Sequence, residues 1–301
     1  MTNNSTLTPP LGDYAEVDGR KLWIHKSGDG DGPTVVFLPG ASAIGLDYYG
    51  VHTQVAGFAT SVLYDRGGSG YSDSMPLPRT AEAIAVELHD LLHSQGVPGP
   101  YILAPHSLGG AYAHRFAQLF PDEVAGLVFI DAYHYNWDDY VPAELSLAAG
   151  EQLAPTYEQL QQALPFMRDF VSQALVDFPD EAREALVDYH VSETWINVGI
   201  AERSSTSALA EELAAGPAYP DVPFVALTPL AVDPNQAALM SPELLQTMHD
   251  GKRRQYDELA ASFTGGQNRV LEDTNHSEII FNRVDAVVQA IRDVSDRAAK
   301  S

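Results

Sequence analysis

Short continuous runs of apolar residues alternate along the chain with longer segments whose apolar positions recur at helical spacing. The runs lie at residues 34–40, 60–65, 101–104, 126–131, 222–228 and 268–273. Such runs are typical of strands that are buried on both faces of a parallel sheet. The segments with helical period lie at residues 79–96, 107–122, 243–263 and 283–298. This alternation predicts an α/β protein with a mostly parallel central sheet that is flanked by helices.

Two parts of the chain depart from this alternation. Residues 14–28 predict two strands joined by a turn at Asp18-Gly19. Residues 135–220 have helical periodicity without a convincing strand, which predicts a helical insertion at the carboxyl edge of the sheet. We therefore expect a core of residues 1–134 and 221–301, and a helical cap or lid of residues 135–220.

Composition narrows the possible partners. The net charge is −24, and 41 Asp and Glu stand against 17 Lys and Arg. Such a charge repels nucleic acid and anionic membranes, so the expected partner is a small-molecule substrate. The charge fits either a solvated acidic surface or adaptation to high salt. The sequence does not indicate the oligomeric state. The first residues lack a basic start and an apolar run, so a cytoplasmic location without a signal peptide is expected.

The absence of cysteine removes thiolate nucleophiles and Cys-based zinc sites. His89 and His93 have the spacing of metal ligands on a helix but lack the neighbouring Glu of a zinc-protease motif. We therefore expect neither a metal nor a cofactor.

Ser107 is the candidate nucleophile. It lies in "YILAPHSLGG", between an apolar run and a helical segment, and reactive groups of open α/β sheets gather at such junctions. Gly109 and Gly110 provide the small residues that a sharp strand–turn–helix needs. A serine hydroxyl also needs a base and an acid that orients the base. Of the ten histidines, His276 is the best base, because it lies in a loop between the last strand and the last helix.

Four segments together resemble the α/β-hydrolase superfamily. The Ser107 segment resembles its nucleophile elbow G-x-S-x-G, although Pro105 replaces the first glycine. "FLPGASA" resembles the oxyanion loop, "YDRGGSGYSD" a turn common in the family, and "DTNHSE" the late loop with the catalytic histidine. Their order is that of the family, and the resemblance covers nearly all of the chain outside residues 135–220. It implies an α/β-hydrolase fold with a cap, and a serine hydrolase activity.

The resemblance also implies roles for particular residues. Ser107 would be the nucleophile and His276 the base, and the acid would be Asp233 or Asp131. We favour Asp233, because it follows the strand before the final βα unit, where many family members place the acid. The N–H groups of Leu108 and Ala41 would bind the oxyanion, whereas Asp65 and Arg66 resemble a structural pair.

A substrate pocket would be formed near the cap. The candidates are residues beside the oxyanion loop or the elbow and aromatic residues of the insertion, namely Ser42, His106, Phe166, Phe170 and Trp195. For the aromatic residues, a place in the insertion's own small core is the alternative.

The functional hypothesis is a serine hydrolase, a carboxylesterase in particular, that cleaves an ester or related acyl bond of a small, moderately hydrophobic substrate. Alternatives with the same fold are a lactonase, an amidase or aminopeptidase, a C–C hydrolase or a cofactor-free perhydrolase. Dehalogenases and epoxide hydrolases are less favoured, because the resembling enzymes have an aspartate where Ser107 stands. The non-enzymatic alternative is a ligand-binding protein or receptor.

Overall fold

The structure, a computed structural model, describes residues 8–30, 32–176, 178–237 and 240–300. Within these residues, eight strands form one sheet in the order β1-β2-β4-β3-β5-β6-β7-β8. The strands are β1 (Asp13–Val17), β2 (Arg20–Ser27), β3 (Thr34–Leu38), β4 (Ser61–Tyr64), β5 (Tyr101–Pro105), β6 (Val124–Ile130), β7 (Phe224–Pro229) and β8 (Gln267–Leu271). Strand β2 is antiparallel to β1 and β4, and the pairs from β4 through β3 to β8 are parallel. The predicted mostly parallel sheet is confirmed.

Helices follow most of the parallel strands. In chain order they are α1 (Tyr49–Val55), α2 (Ala81–Ser94), α3 (Gly109–Leu119), α4 (Leu147–Gln152), α5 (Tyr157–Ala174), α6 (Asp180–His190), α7 (Glu193–Arg203), α8 (Thr206–Ala214), α9 (Pro234–Ala237), α10 (Pro242–Ala261), α11 (Ile279–Asn282) and α12 (Val284–Ala298). Among the described residues, none of these helices is both long and apolar enough to cross a membrane.

The buried side chains form a layer on each face of the sheet. Along β3, Val36 and Leu38 belong to one layer, with helices α2, α3 and α10. Val35 and Phe37 belong to the other, with α1 and α12. Successive residues of a strand point to opposite faces, so a strand covered on both sides must be apolar throughout. This explains why the strands appear as unbroken apolar runs.

The helices α4 to α8 occupy the chain between β6 and β7, and the structure describes no strand there. We call residues 135–220 the helical insertion. Its buried residues do not form an isolated core, because Leu186 and Trp195 pack in the same layer as Val35 of the sheet. A hydrogen bond between His190 Nε2 and Asp47 Oδ1, at 2.8 Å, also joins the insertion to the core.

A buried ion pair connects the insertion to the loop after β3. Arg66, just after β4, donates from Nε and Nη2 to the two carboxylate oxygens of Glu202 on α7, at 2.6 and 2.7 Å. The two side chains are 1% and 2% exposed. Arg66 also donates to the carbonyls of Pro39 and Gly40, and the N–H of Ser42 donates to Glu202. The pair therefore holds α7 against residues 39–42.

Asp65 and Arg66 both make structural contacts, but with different partners. Arg66 pairs with Glu202, whereas the Asp65 carboxylate accepts hydrogen bonds from the N–H groups of Gly45 and Tyr71, at 2.7 and 2.9 Å. The two adjacent residues thus stabilise different loops. The sequence could not show this, because Glu202 lies 136 positions from Arg66.

Replacing Glu202 with Gln leaves the Arg66 guanidinium buried without a counter-ion. We expect the free energy of unfolding, measured in urea by circular dichroism, to fall by about 3–5 kcal/mol. The double variant Arg66→Met, Glu202→Leu removes both charges. Its free energy of unfolding should fall by less than the sum of the losses in Arg66→Met and in Glu202→Leu. Additive losses would show that the two charges do not stabilise each other.

Candidate active site

Ser107 lies in a sharp turn between β5 and α3. Its φ is +51°, in the left-handed region that residues with a Cβ rarely adopt. Two hydrogen bonds close the turn, from the N–H of Gly109 to His106 O and from the N–H of Gly110 to Ser107 O, both at 2.9 Å. Strain of this kind persists only where the surrounding structure enforces it. The turn holds the Ser107 side chain at the carboxyl edge of the sheet.

The two glycines of the turn are required by close backbone approach. A Cβ on Gly109 would lie 2.1 Å from Leu38 O, and one on Gly110 would lie 2.2 Å from Tyr133 O. Pro105 is accommodated as the last residue of β5, paired with Leu38. The ladder continues past it, because the N–H of His106 donates to Leu38 O at 3.1 Å.

Three side chains from the ends of different strands form a hydrogen-bonded chain. His276, after β8, lies with Nε2 3.0 Å from Ser107 Oγ and Nδ1 2.7 Å from Asp131 Oδ2. Asp131 directly follows β6. A carboxylate only accepts hydrogen bonds, so His276 carries its proton on Nδ1 and Nε2 is free to accept the serine proton. This is the arrangement of nucleophile, base and orienting acid.

The carboxylate on His276 Nδ1 belongs to Asp131, the alternative candidate for the acid, whereas the sequence favoured Asp233. Asp233 lies beyond β7, and its Oδ2 accepts from the hydroxyl of Ser277, at 3.3 Å. Asp233 thus contacts the residue after His276, whereas Nδ1 of the His276 imidazole donates to Asp131. The chain position of an aspartate shows which strand it follows, but not which way its loop directs the carboxylate.

Lys252 on α10 contacts the same carboxylate oxygen as His276. Its Nζ donates to Asp131 Oδ2 at 2.8 Å and to Pro229 O at 3.4 Å. Burial alone would raise the pKa of Asp131, but the Lys252 ammonium and the His276 hydrogen bond outweigh it and hold that pKa below its ordinary value. Asp131 therefore stays ionised over the pH range in which histidines usually titrate. Sequence reasoning missed Lys252, because the contact spans 121 positions and no motif marks it.

His106 supports the loop that carries His276. Its Nε2 donates to His276 O at 3.0 Å, and its Nδ1 lies 3.0 Å from the Tyr48 hydroxyl. A carbonyl only accepts, so the proton is on Nε2 and Tyr48 donates to Nδ1. Burial and the neighbouring His276 lower the pKa of His106 to about 3. A neutral imidazole thus stacks on that of His276, with ring centroids 4.8 Å apart.

Two backbone N–H groups border the space above Ser107. They belong to Leu108 and Ala41, and in the described part of the chain neither donates to a protein acceptor. Ser42 holds the loop in place, since its hydroxyl donates to Ala41 O at 2.7 Å and its N–H to Glu202 at 2.8 Å. Free donors next to a nucleophile can bind a developing negative charge.

A cavity of about 310 Å³ opens at Ser107, and we call it the Ser107 cleft. Its apolar and aromatic wall includes Tyr133, Trp137, Leu147, Met248 and Tyr256. Besides Ser107, Asp131 and His276, its polar wall includes His134, Arg203, Thr206, Gln236, Lys252 and Gln255. A larger cavity of about 920 Å³, beside the β1–β2 turn and α2, contains none of the candidate catalytic residues.

The five residues predicted for a pocket do not line this cleft. Ser42 and His106 are buried beneath it. Phe166 is 60% exposed on α5, Trp195 is buried near His190, and Phe170 packs beside the core layer that contains Trp195. Helical periodicity shows which residues share a face of a helix, but not which helix meets the edge of the sheet. The cleft is instead lined from residues 132–137, α4, the end of α7, the start of α8, α9 and α10.

A cluster of three side chains on and near α2 could hold a metal ion. His89 and His93 on α2 place Nε2 at 3.1 and 2.9 Å from the two carboxylate oxygens of Glu123. The three ligand atoms lie within 4.8 Å of one another. Glu123, 30 positions from His93, adds a third ligand that the spacing of the two histidines did not indicate. The same atoms also form hydrogen bonds with one another, and none of the three residues lines the Ser107 cleft.

Comparison with protein families agrees with this architecture. The family model described as "Alpha/beta hydrolase family" matches residues 35–290. The chain belongs to the α/β hydrolase family, whose members are hydrolases.

Curated proteins match only part of the chain, at low sequence identity. The uncharacterised protein YbdG of Bacillus subtilis is 28% identical over 133 residues, which cover 44% of this chain and 41% of that protein. The putative carbamate hydrolase RutD of Cronobacter sakazakii is 28% identical over 114 residues, which cover 38% of this chain and 42% of that protein. The chain thus spans less than half the length of these curated relatives.

Solved structures share the fold. A putative epoxide hydrolase from Pseudomonas aeruginosa has a TM-score of 0.66 at 17% identity, with 97% of each chain covered. A thermophilic esterase from Thermogutta terrifontis has a TM-score of 0.57 at 19% identity, with 95% of this chain and 97% of that chain covered.

The close approach of Gly110 to Tyr133 can be tested by Gly110→Ala. We expect the free energy of unfolding to fall by about 3 kcal/mol, because the new methyl group would overlap a backbone carbonyl. Gly150→Ala is the matched control, since nothing lies within 4 Å of a Cβ there and α4 should gain up to about 1 kcal/mol. Equal stability of the two variants in urea would contradict the packing of the turn.

Proposed function

We propose that the protein is a serine hydrolase that cleaves a carboxylic ester or related acyl bond, with Ser107 as nucleophile, His276 as general base and Asp131 as the orienting acid. The observation that carries the proposal is the hydrogen-bonded chain from Ser107 Oγ through both imidazole nitrogens to Asp131. The positive φ of Ser107 supports it, because it marks a strained residue at the edge where α/β proteins bind ligands.

In the first half of the reaction, His276 Nε2 accepts the Ser107 proton as Oγ attacks the acyl carbon. The carbonyl π electrons move to oxygen, and the N–H groups of Leu108 and Ala41 stabilise that oxyanion; one such donor is typically worth about 2.7–4 kcal/mol. Collapse of the intermediate breaks the bond to the alcohol oxygen. The imidazolium of His276 returns its proton to this leaving group, and Ser107 keeps the acyl group.

In the second half, water takes the place of the alcohol. His276 accepts a proton from the water, whose oxygen attacks the acyl carbon, and the same two N–H groups stabilise the second oxyanion. The bond to Ser107 Oγ then breaks, and Oγ takes the proton from His276. Asp131 stays ionised throughout and stabilises the imidazolium of each half-reaction.

Two observations favour a small acyl ester. The cleft volume of about 310 Å³ lies at the lower end of the range for small-molecule sites. A serine stands where the resembling dehalogenases and epoxide hydrolases have an aspartate, and this favours an acyl-enzyme over the alkyl-enzyme of those reactions.

The test is hydrolysis of 4-nitrophenyl acetate, butyrate and octanoate by matched variants. Ser107→Ala should lower kcat by about 10⁶-fold and Asp131→Asn by about 10⁴-fold, since the latter presents the wrong histidine tautomer. Asp233→Asn is the control and should keep most of the activity. A large loss in Asp233→Asn with an active Asp131→Asn would reverse the assignment of the acid.

Covalent labelling separates a silent enzyme from a binding protein. A fluorophosphonate should label the wild type but not Ser107→Ala. If the wild type neither labels nor hydrolyses any of the three esters, the serine hydrolase proposal is wrong and the fold acts as a binding protein.

Lys252 should influence the pH profile, because its positive charge faces Asp131 and disfavours a second positive charge on the base. In Lys252→Met, the midpoint of the acid limb of kcat/KM should rise by about one pH unit, since the imidazolium is then stabilised by an uncompensated carboxylate. Lys26→Met changes an exposed lysine of β2 and should leave the midpoint in place. An unchanged or lowered midpoint in Lys252→Met would contradict this effect.

A further inference from the structure

Arg203 is a cation in the Ser107 cleft without a carboxylate partner. Its Nη2 donates to Ser42 Oγ at 3.2 Å, and in the described part of the chain it forms no ion pair. An arginine stays protonated at every accessible pH, so its charge cannot be removed by titration. A half-buried guanidinium has most of its five donors to offer to a ligand.

Two carboxylates that contact the segment of the chain around Arg203 have other hydrogen-bond partners. Glu202, its neighbour in the chain, pairs with Arg66 and accepts from the N–H of Ser42. Glu151 accepts from the hydroxyl of Thr206 and the N–H of Ser207, at 2.9 and 2.7 Å. Among the described residues, neither carboxylate forms an ion pair with Arg203, and the nearby charge of Glu202 is shared with the Arg66 guanidinium.

The cleft is therefore positive in a protein with a net charge of −24. Among the described residues that line it, Asp131 is the only carboxylate, and Lys252 and Arg203 are the cations. Asp131 and Lys252 form an ion pair and offset each other. The charge of Arg203 remains, and an anionic group of a ligand would balance it.

The helix α7 places this guanidinium next to the oxyanion loop. A Cβ on Gly199, one turn before Arg203, would lie 2.4 Å from Arg203 Nη1 and 3.0 Å from Ser42 Oγ. The arginine thus lies across the bare surface of the helix that glycine provides. The Arg66–Glu202 pair fixes α7 at this position, beside Ala41 and Ser42.

We propose that Arg203 binds a carboxylate of the substrate, and that the protein hydrolyses esters that carry a second, free carboxylate group. This inference rests on the proposed function, because it names the substrate class of the same site. The carboxylate would belong either to the acyl chain or to the alcohol part, and both place an anion within the cleft while Ser107 attacks the ester carbon. A charge-assisted pair of this kind adds binding energy and selects against uncharged esters.

The experiment compares two pairs of esters that differ only in charge. For the acyl side, the 4-nitrophenyl monoester of adipic acid is compared with 4-nitrophenyl methyl adipate. For the alcohol side, 4-acetoxybenzoate is compared with its methyl ester. In the wild type, kcat/KM should favour the anionic member of one pair, and that pair identifies the side on which the carboxylate lies.

Arg203→Met should lower the anionic-to-neutral ratio of kcat/KM about tenfold to a hundredfold, the usual loss for one charge-assisted contact. Arg203→Lys keeps the charge but not the planar fork, so it should retain part of the preference. Gly199→Ala should lower the ratio without changing any charge, because it displaces the guanidinium. Arg168→Met changes an arginine of α5 that is 51% exposed and should leave the ratio unchanged.

The outcomes separate this inference from the proposed function. A ratio that is equal in wild type and Arg203→Met, with both active, overturns the carboxylate site and leaves the serine hydrolase intact. An equal loss for anionic and neutral esters would assign Arg203 to the oxyanion instead. Calorimetric binding of adipate to Ser107→Ala, absent in Ser107→Ala, Arg203→Met, detects the site without turnover, whereas equal binding to both variants overturns it.

Discussion

The buried pair of Arg66 and Glu202 is the interaction on which the arrangement of the site depends. Two unlike charges that are almost fully removed from water must compensate each other, so the residues that carry them are held at one distance and orientation. Arg66 also holds the carbonyls of Pro39 and Gly40, and Glu202 holds the N–H of Ser42. One ion pair thereby fixes the loop after β3, the contact of α7 with this loop, and the position of Arg203.

The proposed catalytic groups are positioned by the sheet. Ser107, Asp131 and His276 follow β5, β6 and β8, which lie in the same half of the sheet and end at the same edge. The relative positions of these three residues therefore depend mainly on the strands that precede them, and the short loops after the strands orient the side chains. Lys252 adds a component from outside the sheet, because it reaches Asp131 from α10 and shares the oxygen that orients His276.

The features that the sequence predicts correctly are those with local causes. Buried strands need unbroken apolar runs, and the turn at Ser107 needs small residues within three positions, so the fold, the candidate nucleophile and the loop of His276 are readable along the chain. Contacts between distant segments are not. Asp131 and Asp233 both follow strands, and only the path of each loop decides which one meets His276. The partners of Arg66 and Lys252 lie more than a hundred positions away.

The Arg66–Glu202 pair also has a consequence for how a ligand reaches Ser107. Moving α7 away from the sheet would leave a buried guanidinium without its counter-ion. This helix therefore forms a fixed wall of the cleft. Leu147, on α4, also lines the cleft, and α4 is a short helix without buried residues. The wall that carries Arg203 is therefore anchored by a buried ion pair, whereas the wall at α4 lacks an anchor of buried side chains.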